Sequence, residues 1–458
     1  MAKFKPYRSQ TAASSRTVAL NRRDLIEFKE LKTLYRHVVL AYIQMPADDD
    51  QNGRKARLLR FIMRLRLKCF SLVTYTEPAP HPVRLRLDRT IESFHEGVCE
   101  DHFRFKKAQL VILKQVLGIP ESFVLYDAEN KPRNRFSGEE CFLVLLNSFK
   151  SGTQMVELTD RFGREATQLQ KMFRVCAFYL WDEWGFLLGD RGFERFQPHF
   201  REYNRVIKQK ALQVADVVLR DAIEKQAQGE YVSPWRLIPL DVEDCHVMGF
   251  IDGTCRRSTR PRAGPVHDGE GAPRHEAAWL WQKAFYNSYN KFNGIKYEIC
   301  VAPSGMVMRL MGPISVKRHD RFLLNTFQTN ASLVQTQVVN NGANEPMYQL
   351  YGDSAYPLSE AVTRHANFPM TDQERLRAYC FSSCRESVEH QIGVCPLLWR
   401  RVNNWWEQKL LRQTHRSIEG IEYKLATLLT NALTCVRSNV VGARYNCLPP
   451  TLENYFRK

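Results

Sequence analysis

No run of roughly 18 apolar residues occurs in the 458-residue chain, so no membrane-spanning helix is expected. The opening stretch, Met-Ala-Lys-Phe-Lys-Pro-Tyr-Arg, lacks the apolar core of a secretion signal. The 12 Cys form no CxxC pair and no regular framework, which reads as reduced intracellular thiols rather than a disulfide scaffold. Cys380, Cys384, His390 and Cys395 are near one another in the chain. Their spacings fit no common zinc module, and Cys is ordinarily a buried apolar residue. Acidic excess is missing too: 66 Lys and Arg face 49 Asp and Glu, a formal charge of +17.

What is present is enough for real cores. The hydrophobic fraction is 44%, with 8 Trp and 26 Phe, and this length suits two or three domains. The positive charge is uneven. Residues 1–68 carry 16 Lys and Arg against 6 Asp and Glu, residues 69–200 carry 17 against 18, and residues 201–458 hold the remaining +8. A basic arm and a basic C-terminal part suit a polyanion such as double-stranded DNA; a solvated basic surface is the plainer alternative.

Residues 1–20 read as a polar, basic, disordered tail. Leu25, Phe28, Leu31, Leu34, Tyr35 and Val38 have helical spacing over Asn21–Tyr42. After an acidic loop, bases alternate with apolar residues over Arg54–Phe70, a basic amphipathic helix that suits a phosphate backbone, an import receptor or plain solvent. We treat residues 1–100 as a basic helical arm.

Residues 102–187 read as a helical cluster. Ser137 with Glu140 three positions later is a capping pattern, followed by helices over Glu139–Phe149, Thr153–Phe162 and Glu165–Leu187, with Gly163 as the break. Helix, short helix, turn and longer helix is a helix-turn-helix layout, and also that of an ordinary bundle. If it binds DNA, Arg164, Thr167, Gln168 and Lys171 meet the major groove, with Leu169, Met172, Phe173 and Cys176 facing the core. Residues 101–190 are thus a helix-turn-helix candidate and residues 191–240 a helical connector, its helix over Phe196–Gln228.

Beyond Pro239 the pattern changes to strands over Val247–Ile251, Lys296–Ala302, Val307–Met311 and Tyr348–Tyr351, with Ser304-Gly305 as a hairpin turn. A helix follows over Arg321–Asn330, and helices return after Thr371. This is a mixed α/β plan over residues 241–440, ahead of a tail at 441–458; the whole chain reads as α+β. A Gly/Pro/Arg-rich insertion at Arg256–Glu276 reads as a flexible basic loop.

Three acidic motifs lie in this part. Phe250-Ile251-Asp252-Gly253-Thr254 and Tyr351-Gly352-Asp353-Ser354-Ala355-Tyr356-Pro357 each place an Asp at the polar end of an apolar strand, and Arg385-Glu386-Ser387-Val388-Glu389-His390 places Glu389 on a helix. Two strand-end aspartates and a helical glutamate can form an oxygen cage for Mg²⁺ or Mn²⁺, and paired ions of this kind cleave and rejoin phosphodiesters. Taken singly, each Asp is equally a turn former, Glu389 a solvated helix charge, and Glu386 a competitor for its role.

The motifs recur in an order that resembles the PIF/Harbinger superfamily of DDE transposases and the nucleases derived from them. The order runs from Ile251-Asp252-Gly253-Thr254 through Tyr286-Asn287, Tyr289-Asn290-Lys291 and Gly294-Ile295-Lys296-Tyr297. It continues with Ala302-Pro303-Ser304-Gly305, Met311-Gly312-Pro313, His319-Asp320, the Asp353 motif and Ser387-Val388-Glu389, and closes with the helix at Leu428–Cys435. Asp252 and Asp353 lie 101 positions apart, and Asp353 and Glu389 lie 36 apart. Two departures stand out: Ile392-Gly393 where the family's motif runs Val-Glu-x-x-Phe-Gly, and a longer insertion after the first Asp.

The resemblance implies an RNase H-like catalytic domain preceded by a helix-turn-helix. It implies an enzyme that cleaves transposon-end DNA and joins the freed 3′-hydroxyl to target DNA. Asp252, Asp353 and Glu389 would hold two Mg²⁺ or Mn²⁺ ions, Asp252 bridging both. Such crowding raises at least one carboxyl pKa when no metal is bound. Asp320 is an accessory acid, and Lys291, Lys296, Lys317 and Arg318 are phosphate contacts. A nuclear location, a Myb-like DNA-binding partner and a homo-oligomeric active form follow from the same resemblance. A domesticated, catalytically silent DNA-binding protein and a pure interaction scaffold are the competing readings.

Overall fold

The computed structural model describes residues 89–126, 132–152, 154–189, 191–259, 282–289, 291–340, 345–364, 370–403 and 419–458, together with Ile62. The helix read over Asn21–Tyr42 and the insertion beyond residue 259 lie outside them, as does the basic helix read over Arg54–Phe70 apart from Ile62. Helix and sheet are mixed, and the chain divides into two units, Met1–Asp182 and Glu183–Lys458.

The first unit contains α1 (Glu96–Phe103), α2 (Lys107–Val116), β1 (Ser122–Tyr126), β2 (Pro132–Ser137), α3 (Gly138–Ser151), the short α4 (Thr159–Phe162) and α5 (Ala166–Trp184). The antiparallel β1–β2 hairpin is a departure from the all-helical reading of this region. Its paired Phe123 and Phe136 are both buried. Pro132-Arg133-Asn134-Arg135 gives β2 a polar, loop-like composition. Ser137 caps α3, its Oγ accepting from the Glu140 amide at 3.4 Å. The Glu140 carboxylate is fully buried and held by Arg164 at 2.6 Å. Leu169, Met172, Phe173 and Cys176 form the buried face of α5.

The second unit begins with α6 (Phe200–Ala227), which packs on β3 (Val247–Arg257). Asn204 of α6 donates to the carbonyls of Cys245 and Val247, each at 2.9 Å, fixing where β3 starts. Then come β4 (Tyr286–Asn287), β5 (Phe292–Val301), β6 (Val307–Ser315), α7 (Asp320–Phe327), α8 (Thr329–Asn340), β7 (Gln349–Tyr351) and β8 (Val362–Thr363). Four helices close the unit: α9 (Asp372–Leu398), α10 (Glu419–Val436), α11 (Val440–Tyr445) and α12 (Leu452–Tyr455).

The sheet order is β6-β5-β3-β7-β8, with β4 on the first residues of β5. β3, β5 and β6 run antiparallel in turn, whereas β7 is parallel to β3 and β8 parallel to β7. A parallel neighbour cannot be reached by a tight turn, and α7 and α8 supply the crossover from β6 to β7. Helices pack on the central strands, and their sequence accordingly reads as apolar runs rather than as an alternation: Val247, Met248, Phe250 and Ile251 are all buried, as are Ile299, Cys300 and Val301.

The β5–β6 hairpin turns at Gly305, whose φ of +78° is one that a side chain resists. Thr371 and Glu374 exchange side-chain and backbone bonds in a capping box that starts α9. Asn431 of α10 ties down β6 with a two-way amide pairing, accepting from the Val307 amide at 2.9 Å and donating to its carbonyl at 2.8 Å. Several boundaries moved relative to the sequence reading, among them the start of β5, at Phe292 rather than Lys296, and the ends of β3 and β6. Arg256 and Arg257 end β3 rather than open a flexible insertion, and β6 runs on past Met311 to Ser315.

Candidate active site

In the parallel pair of β3 and β7, Phe250 stands opposite Tyr351. Asp252 and Asp353 each follow two residues later, Asp252 within β3 and Asp353 just past the end of β7, near enough for the Asp353 carboxylate to act on Asp252. Each spends one oxygen on local backbone. Asp252 Oδ1 accepts from the Gly253 amide at 2.7 Å, and Asp353 Oδ1 accepts from the Ala355 amide at 2.9 Å. Asp353 forms a turn just past β7, whereas Asp252 lies inside β3 rather than at its end, paired with Ile299 of β5.

Glu389 approaches from α9. Its partner is Arg385, four residues earlier, with Nη2 at 2.8 Å from Glu389 Oε1. Nη1 of the same guanidinium lies 3.2 Å from Asp252 Oδ2. Arg385 thus spans the two acids as a resident cation. The competing glutamate, Glu386, turns to Arg444 at 3.4 Å, which leaves Glu389 as the acid of α9 joined to Asp252.

Asp320 is the first residue of α7, and its Oδ1 lies 2.8 Å from Lys296 Nζ of β5. Gly253 makes this contact possible. A methyl group there would lie 1.9 Å from Asp320 Oδ1 and 2.6 Å from Lys296 Cε.

The electrostatics follow from this crowding. Burial pushes the Asp252 carboxyl up to about 6, and the nearby Asp353 and Asp320 carboxylates add to the rise. The Gly253 amide and the Arg385 guanidinium oppose it. A carboxylate that is mostly buried and surrounded by other carboxylates favours a cation beside it. Among the described residues, no group of three His, Cys, Asp or Glu side chains stands close enough to hold an ion in this arrangement. The donor chemistry of Asp252, Asp353 and Glu389 nonetheless suits a hard divalent ion, and the guanidinium already holds a positive charge between two of them.

Behind the acids lies a layer that the sequence reading did not assign. Glu298 of β5 is fully buried beside Arg309 at 3.5 Å, and Thr329 donates its hydroxyl to it. Burial pushes the Glu298 carboxyl up to about 7. Arg256, on the same face of β3 as Asp252, donates to the Tyr423 hydroxyl at 2.7 Å and to the Ile392 carbonyl at 3.2 Å. No single-residue signal marks these groups. Only the alternation along β3, which puts 252, 254 and 256 on one face, points toward Arg256.

The basic candidates separate into two kinds. Lys291 and Lys317 are exposed, and Arg318 lies 4.6 Å over the Phe322 ring. Lys291 precedes β5, while Lys317 and Arg318 follow β6; these ends are joined where Ile295 pairs with Ser315, so the three share one end of the sheet. Lys296 is buried, its ammonium held by Asp320 and by the Arg318 carbonyl at 3.3 Å. In the first unit Arg164 is bound to buried Glu140 and lies 5.9 Å over the Phe136 ring. Thr167 at the start of α5 is exposed, whereas Gln168 and Lys171 are half-buried. Cys380, Cys384 and Cys395 are buried while His390 is exposed, and burial pushes the Cys380 and Cys384 thiols up to about 12 and about 11. Among the described residues no helix is long and apolar enough to cross a membrane.

Comparison with known families finds one resemblance. Residues 272–430 match the model of the DDE superfamily endonuclease family. The matched span contains Asp320, Asp353 and Glu389, and begins after Asp252. No curated protein and no solved structure matches the chain.

Proposed function

We propose that the chain is a DDE-type nuclease of the transposase kind, acting on double-stranded DNA through Asp252, Asp353 and Glu389. The observation that carries this reading is the parallel register of β3 and β7. It brings together the chain segments that carry Asp252 and Asp353, and Arg385 contacts both Asp252 and the helical Glu389. The endonuclease-family match over residues 272–430 supports it independently. The strand order β6-β5-β3-β7-β8, three antiparallel strands followed by two parallel ones, supports an RNase H-like assignment for the domain. The order of motifs favours the PIF/Harbinger branch.

Asp252, Asp353 and Glu389 would hold the divalent ions, Mg²⁺ or Mn²⁺. When bound, such ions supply activation of the attacking oxygen and stabilisation of the leaving one. Ion binding would displace the Arg385 guanidinium from Asp252 or Glu389. Asp320 and Lys296 brace β3 from beside Gly253. Lys291, Lys317 and Arg318 offer phosphate contacts at the end of the sheet, and Thr167, Gln168 and Lys171 are the groove-facing candidates of a helix-turn-helix, Arg164 being committed to Glu140 instead. Strand transfer to a target site, a nuclear location, a Myb-like partner and a homo-oligomeric working form belong to the same proposal.

A second reading is favoured by one contact. Because the Arg385 guanidinium offsets part of the charge of Asp252 and Glu389 without any ion, the fold can also persist as a silent DNA-binding descendant. Incubation of supercoiled plasmid with the protein in Mn²⁺ or Mg²⁺, with a gel-shift assay on the same DNA, separates the two. Nicking that is lost in Asp252→Asn and Asp353→Asn supports the nuclease; binding with no nicking by any form supports the silent binder.

A further inference from the structure

Pro396 sits inside α9, and its ring nitrogen carries no hydrogen. The carbonyl four residues earlier, Ile392, therefore loses the amide donor that closes every other interior turn of a helix. Arg256 of β3 supplies a donor from outside: its Nη2 lies 3.2 Å from the Ile392 oxygen. The same nitrogen is 2.7 Å from the Tyr423 hydroxyl of α10, and the guanidinium carbon lies 4.3 Å over the Tyr423 ring.

The position of this contact gives it meaning. Arg256 is four residues beyond Asp252 on the same face of β3, and Ile392 is three residues beyond Glu389, one turn along α9. A single guanidinium thus links the strand that carries one acid to the helix that carries another, at a carbonyl left open by proline.

We propose that Arg256 is a positioning residue that sets the separation of Asp252 and Glu389. The proposal rests on the reading of those two acids as ion ligands. A bond to a backbone carbonyl fixes the helix along its axis and in rotation, which an apolar contact does not. The aromatic ring of Tyr423 holds the guanidinium in a single orientation while it donates. Outer supports of this kind typically change metal affinity by roughly tenfold to a hundredfold when removed.

The test is Mn²⁺ binding by the full chain, followed by electron paramagnetic resonance, together with thermal unfolding. Arg256→Met is expected to weaken Mn²⁺ binding about tenfold and to be non-additive with Glu389→Gln, the double variant binding no worse than Glu389→Gln alone. Adding Pro396→Ala to Arg256→Met restores an amide to the Ile392 carbonyl. It is expected to recover thermal stability without recovering Mn²⁺ affinity, because the tie from β3 is still missing. Additive effects of Arg256→Met and Glu389→Gln, or recovery of affinity by Pro396→Ala, would overturn the proposal. If Arg256→Met does not fold, Arg256→Lys is measured in its place, with a several-fold loss and the same non-additivity expected. Mn²⁺ binding unaffected by Asp252→Asn would instead refute the ligand reading itself, so the two failures are distinguishable.

Discussion

Asp252 and Glu389, 137 positions apart in the chain, are joined by one side chain: the Arg385 guanidinium lies 3.2 Å from the first and 2.8 Å from the second. Two acids that are to bind a divalent ion already hold a cation. Ion binding must displace the guanidinium from at least one of them, and Arg385 therefore competes with the metal.

Arg385→Ala removes that competitor. The Glu389 side chain is 55% exposed, so the pair is worth about 1 kcal/mol or less. Mn²⁺ affinity should rise by up to about fivefold, while the metal-free protein unfolds at a slightly lower temperature. Calorimetric titration of both forms checks this. Weaker Mn²⁺ binding in the variant would mean that Arg385 supports the ligands rather than competing with the ion.

Gly253→Ala tests the close approach beneath Asp252. The added methyl would sit 1.9 Å from Asp320 Oδ1, so the Asp320–Lys296 pair has to move. Overpacking of this type costs about 1–3 kcal/mol. Urea unfolding should show that loss, and Mn²⁺ binding should weaken with it. Unchanged stability would show that the Asp320–Lys296 pair does not brace β3.

Glu298 predicts a pH dependence of stability. Its carboxyl is raised from 4.5 to about 7 by burial, so the folded protein holds that proton more tightly than the unfolded chain. Its contribution is full below about pH 4.5 and is lost as pH rises toward about 7. Glu298→Gln keeps the neutral shape, and should flatten the decline between pH 5 and 7 in urea unfolding. A variant curve that runs parallel to the wild-type curve through this window would contradict the assignment.

Much of the second unit was legible because its strands are long, apolar and followed by polar acids. Val247–Ile251 could scarcely be anything but a buried strand, and the return of helix after Thr371 matches the start of α9. The β1–β2 hairpin was missed because Pro132-Arg133-Asn134-Arg135 gives β2 a polar, loop-like composition. The placement of Arg256 was misread for a different reason. Composition around Arg256 resembles a loop, and tertiary packing against Tyr423 makes a half-buried arginine tolerable there. The roles of Arg385 and Glu298 were illegible in principle, since each depends on a partner more than ten residues away: Asp252 for the first, Arg309 for the second.

The most direct test of the central claim is anomalous diffraction at the manganese edge from crystals grown with Mn²⁺. The account predicts manganese between Asp252 and Asp353, with the Glu389 carboxylate turned toward it and Arg385 withdrawn from Asp252. Manganese bound elsewhere, with Asp252 and Glu389 still held by Arg385, would contradict it.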